Sequence, residues 1–77
     1  MSSYYYQNKE DLAGILGEKM AFINHCMEAR AKGEPIPVEE IKEAIVFLKD
    51  HKYLFTGQGL NQLEFFIRQS EEALKGL

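Results

Sequence analysis

Residues 29–40 read Ala29-Arg30-Ala31-Lys32-Gly33-Glu34-Pro35-Ile36-Pro37-Val38-Glu39-Glu40, and they hold a helix stop, a stiff connector and a helix start in that order. Arg30 and Lys32 place cations where the negative end of a helix dipole favours them, and Gly33 can take the left-handed backbone that closes a helix. Pro35 and Pro37 lack a backbone donor and push Glu34 and Ile36 towards extended angles, so no helix runs through them. Pro37 suits the first turn of a new helix, where Glu39 and Glu40 meet the positive end of its dipole. The segment predicts a helical hairpin.

Working back towards the N-terminus, Leu12, Ile15, Leu16, Met20, Ile23 and Met27 recur at three- and four-residue steps, and Phe22 and Cys26 widen the stripe. Asn8 can cap this first helix, with Glu10 and Asp11 in its opening turn. Working forward, Val38, Ile41, Ile45 and Leu48 give the second helix one apolar face, from Pro37 to about Lys52. Val46 and Phe47 lie off that face, which predicts a central helix covered on two sides. Tyr53-Leu54-Phe55 suits a last helical turn or a short extended piece, and Thr56-Gly57-Gln58-Gly59 is expected to break regular structure. Leu60, Leu63, Phe66, Ile67 and Leu74, with Ser70 between them, predict a third helix. No segment alternates with a strand period and none repeats. The expected fold is an all-α, three-helix unit over residues 8–77, a hairpin plus a third helix, after a flexible N-terminal segment over residues 1–7 rich in Ser, Tyr and Gln.

The 77 residues suffice for one small domain. With 45% hydrophobic and 27% charged residues, a net charge of -3 and a pI near 5.3, the chain is not a disordered tail, a collagen-like repeat or a basic nucleic-acid arm. A domain this short buries only roughly 60% of the surface of its unfolded chain, and such domains are commonly steadied by disulfides, a metal or oligomerisation. Cys26 is the single cysteine, so no intrachain disulfide forms. The longest apolar run, Ala44 to Leu48, is too short to span a bilayer, and Met1-Ser2-Ser3-Tyr4-Tyr5-Tyr6 does not resemble a signal peptide. The sequence is read as a cytoplasmic, membrane-independent homo-oligomer.

Chemistry-bearing residues are sparse. His25 and Cys26 are consecutive, about 100° apart around a helix, and His51 is the other histidine, so no spacing brings four ligands to one metal. Cys26 and His51 likewise lack the neighbours of a nucleophile and its base, and so small a domain is expected to have little room for a substrate pocket. Neither an enzyme nor a bound cofactor is expected, and Cys26 reads as a small apolar residue of a core or interface. Gly14 and Gly17 lie inside the first helix, where glycine is unfavourable, and are read as a close-packing surface for another helix or a second copy. Tyr4, Tyr5 and Tyr6 are read as a recognition surface. Phe65 and Phe66 cannot both face one core from successive helical positions, which assigns one of them to an interface.

The basic residues Arg30 with Lys32, and Lys49 with His51 and Lys52, fall near helix C-termini, and a hairpin places the two groups at opposite ends of the molecule. In a monomer they would hold phosphates weakly, whereas a symmetric ring would repeat them into a basic band. Residues 27–34, Met27-Glu28-Ala29-Arg30-Ala31-Lys32-Gly33-Glu34, followed by residues 38–50, Val38-Glu39-Glu40-Ile41-Lys42-Glu43-Ala44-Ile45-Val46-Phe47-Leu48-Lys49-Asp50, resemble a segment of the small terminase subunits of short-tailed phages, although His51 stands where an Asn is more typical. The resemblance implies a non-enzymatic DNA-packaging subunit in the host cytoplasm, assembled into a ring that engages DNA and a larger motor protein. Residues 38–50 would be assembly scaffold, and Arg30, Lys32, Lys49 and Lys52 would face DNA. The alternative is a small helical regulator or inhibitor that docks on one larger protein target through Tyr4 to Tyr6 or the Phe65 face.

Overall fold

The structure, a computed structural model, describes residues 9–76; the lead-in expected over residues 1–7, the Tyr4, Tyr5 and Tyr6 surface and the Asn8 cap lie outside them. The first helix, α1 (Lys9–Ala31), stops where expected. Gly33 adopts φ +82°, its N–H donates to the Arg30 carbonyl at 2.9 Å, and the Glu34 N–H donates to the Ala29 carbonyl at 3.0 Å. This pair of bonds satisfies carbonyls that the end of a helix leaves open, and the left-handed backbone it needs favours glycine.

The connector delivers the chain to α2 (Val38–Asp50), one residue later than expected at its start. Pro37 sits outside the helix with ψ 84°, and its carbonyl accepts the first helical bond from the Ile41 N–H at 3.0 Å. At the other end the His51 Nδ1–H donates to the Phe47 carbonyl at 2.8 Å, and its ring stacks on Phe47 with centroids 4.2 Å apart. One 3₁₀ turn, Lys52–Leu54, follows, and Phe55 is extended, so the two readings of Tyr53-Leu54-Phe55 each describe part of it.

The helix break expected over residues 56–59 ends sooner, because α3 (Gly57–Lys75) already begins at Gly57. Thr56 is extended, Gly57 turns the chain at φ +57°, and the Leu60 N–H donates to the Thr56 carbonyl at 3.3 Å. Gln58 and Gly59 lie in the opening turn, where backbone donors lack helical partners anyway.

The three helices form the all-α unit that the periodicities predict, with α2 packed against both α1 and α3. Leu16, Ile23, Ile41, Leu48 and Leu63 are fully buried at the centre, joined by Cys26, Ala44, Ile45 and Ile67. Phe66 packs against this core. Ser70, buried among the apolar residues of α3, donates its hydroxyl proton back to the Phe66 carbonyl at 2.9 Å and so carries no unpaired donor inside.

Candidate interaction surfaces

α2 turns Ile41, Ala44, Ile45 and Leu48 inward, which leaves its remaining residues to form the walls of two open troughs, one on each flank. Between α2 and α3, Ile45, Val46 and Leu74 floor a trough of about 480 Å³ edged by Lys42, Lys49 and Lys75 against the single acid Glu71. Between α1 and α2, a trough of about 620 Å³ has Ile15, Phe22 and Ala44 at its base and Glu18, Glu40 and Glu43 against Lys19 at its edge. Both spaces are grooves open to solvent, formed because neighbouring helices meet along a line and diverge outside it.

The lysines of the first trough, and Lys52 beyond it, hold surface ion pairs. Lys49 meets Glu71 across the α2–α3 seam, Lys52 meets Glu64 at 3.3 Å, Lys75 meets Glu72 at 2.9 Å and Lys42 meets Glu39 at 3.7 Å. Glu72 holds the Lys75 ammonium above its ordinary value through a hydrogen bond and its charge. Such exposed pairs contribute on the order of 0–1 kcal/mol and exchange readily for other partners. On the opposite flank the Lys19 ammonium lies 5.4 Å above the Phe47 ring, a cation–π contact that ties α1 to α2.

The residues picked from sequence divide unevenly. Lys49 and Lys52 belong to the α2–α3 seam. Arg30 is half-buried against Phe66, Gln69 and Ala73 of α3, and its Nε has no hydrogen-bond partner among the described residues. Lys32 is exposed. Arg30 and Lys49 thus both lie beside the C-terminal half of α3, the one near Gln69 and Ala73 and the other at Glu71.

Phe65 is 59% exposed while Phe66 is half-buried, which settles which ring the core takes. Gly14 and Gly17 pack against no other helix of the chain: both are exposed, and a β-carbon built on either meets nothing within 4 Å. The reason is angular, since Gly14 and Gly17 project away from the stripe through Leu12, Leu16 and Ile23. Cys26 is a core residue, 4% exposed, its thiol pushed up from the ordinary 9.0 by burial and by the negative charge of Glu40. His25 beside it faces solvent, and among the described residues no three His, Cys, Asp or Glu side chains converge on a metal position. None of the described helices is long and apolar enough to cross a membrane.

Sequence reading did not bring Lys42, Val46 and Lys75 together at one trough. Part of the signal was present, because Lys42, Val46 and Lys49 are spaced four and three apart and therefore share one side of α2. Lys75 joins them only through the packing of α3. Compared with protein-family models, curated proteins and solved structures, the chain has no match.

Proposed function

We propose that the chain is a non-enzymatic helical binding protein that works as a homo-oligomer. The observation that carries this reading is the exposure of Val46, Tyr53 and Phe65, at 53%, 71% and 59%, on a domain of 77 residues. A small core leaves a domain marginal, and burying such side chains against a second copy adds the apolar contact that one copy lacks. Aromatic rings on a surface of otherwise charged helices are also what contact surfaces favour.

The specific form of this proposal is a phage DNA-packaging subunit. Residues 38–50 would hold the assembly together, and Arg30, Lys32, Lys49 and Lys52 would face DNA with a motor protein as further partner. Repetition around a symmetry axis is what would raise these few cations to a useful field in a chain of net charge -3. The second reading is a helical regulator of one larger protein, supported by the exposed Tyr53 and Phe65 rings.

Light scattering over a wide concentration range tests the proposal. A mass that rises above the 8.9 kDa of one chain supports it, and a single chain at every concentration refutes self-association. Duplex DNA should then bind the oligomer at low salt, with a slope against log salt that flattens by about one unit for each phosphate contact removed. No complex at low salt removes the DNA form. Binding to a protein target that persists at high salt and is lost on changing Phe65 supports the regulator instead.

A further inference from the structure

A further cleft, of about 310 Å³ between α1 and α3, holds a cation without a counter-charge. Arg30 lines it, and among the described residues no carboxylate does, nor does any Asp or Glu pair with this guanidinium elsewhere. Its Nε is sealed from water with its proton undonated, a costly state for a charged donor and one that native structures rarely keep without a reason. The end of α3 leaves room for the guanidinium: Gly76 has no side chain, and a β-carbon there would lie 3.0 Å from the Arg30 Nη2. The negative end of the α3 dipole steadies the cation at this corner without neutralising it.

The remaining walls set the chemistry of what fits. Met27 and Ala31 of α1 and Phe66 and Ala73 of α3 are apolar, and the carboxamides of Asn24 and Gln69 add exposed donors. We infer that this cleft binds a small organic carboxylate, with its anionic end forked on Arg30 and its apolar body laid over Met27 and Phe66. Arginine pairs a carboxylate through two parallel N–H···O bonds, and a turn of the guanidinium towards the cleft gives the orphaned Nε–H its acceptor. One cation calls for one negative charge. A phosphate dianion would bring more charge than the cleft neutralises, and no apolar body to cover its walls. At this volume the cleft stands at the small end of ligand sites, which run from roughly 300 to 1,000 Å³, so a short acid fills it. The inference does not rest on self-association, since the cleft lies within one chain. It also gives Arg30 a different anion from the DNA phosphate proposed above.

The test is NMR of the arginine Nε–H groups in the nitrogen-15-labelled chain, which has two arginines; Arg68 is exposed outside the cleft and serves as internal control. Titration with sodium hexanoate should move the Arg30 Nε–H signal and the backbone amides of Met27 and Phe66 along a saturating curve, while Arg68 follows ionic strength alone. Hexanol has the body without the charge and inorganic phosphate the charge without the body, so neither should saturate the Arg30 signal over the same range. Arg30→Met keeps an apolar stem and should lose the saturating shifts at Met27 and Phe66, with circular dichroism checking that helicity is unchanged. If that variant is less helical, Arg30→Lys, which keeps the charge without the fork, takes its place and should weaken binding several-fold. Equal shifts at Arg68, a response that never saturates, shifts that survive undiminished in the variant, or saturation by hexanol overturn the site. Saturation by phosphate at a lower concentration than hexanoate overturns the carboxylate assignment and favours the phosphate contact.

Discussion

Replacing Gly14 and Gly17 by alanine should stabilise the protein. Each substitution gains about 0.8–1 kcal/mol of helix propensity, because alanine loses less backbone freedom on folding than glycine. Nothing opposes the gain: neither residue has positive φ, and an added β-carbon meets no atom within 4 Å at either site. The two changes together should gain up to about 2 kcal/mol, which for a domain of this size raises Tm by up to about 16 °C. Thermal unfolding followed at 222 nm, at a protein concentration where wild type and variant have the same mass, measures it. Destabilisation would refute the reasoning. A fall in oligomer mass with stability intact would place Gly14 and Gly17 against a second copy, and the face of α1 taken as open would be a close-packed seam.

Gly57→Ala should act in the opposite direction, lowering stability by about 1–2 kcal/mol in urea unfolding, since φ +57° is strained for a residue with a β-carbon even where the surrounding space is open. His51→Ala should cost on the order of 1 kcal/mol through the lost Phe47 carbonyl bond and ring stacking, again by urea unfolding. For Cys26 the raised thiol pKa means that above pH 9 the unfolded state releases a proton that the folded state keeps; stability should therefore fall as pH rises through the thiol range and be insensitive to this group below it. Cys26→Ala should remove that component of the alkaline slope, and a thiol reagent should label wild type at a rate set by opening of the fold.

The hairpin was legible because its stop and start are written in residues whose backbone preferences are strong and local, Gly33 and the two prolines. The third helix was legible in its apolar stripe but not at its start. Gly57 and Gly59 read as breakers when only local propensity is weighed, and the structure shows Gly57 turning the chain into α3 while Gly59 rides in its first turn. That no other helix of the chain packs on Gly14 and Gly17 was available in the sequence, since their angle around α1 from Leu12 and Leu16 points them outward. The troughs could not be read from the chain alone: Lys75 is 26 positions from Lys49, and only the packing of α3 on α2 brings both to the same edge.

Every turn of α2 is committed three ways. Ile41, Ala44, Ile45 and Leu48 face the core, Lys42, Val46 and Lys49 face one trough, and Glu40 and Glu43 face the other. Substitution can therefore retune either outer surface while leaving the core untouched. Insertion cannot. One residue added just before Glu40 would rotate all that follows by about 100°, carrying Glu40 and Glu43 into the positions of Ile41 and Ala44 and moving Ile41, Ile45 and Leu48 to the places of Lys42, Val46 and Lys49. An insertion of three or four residues comes back within about 60° of the original phase, although it also displaces the chain by most of a turn. The helix is thus forgiving of spelling and strict about frame.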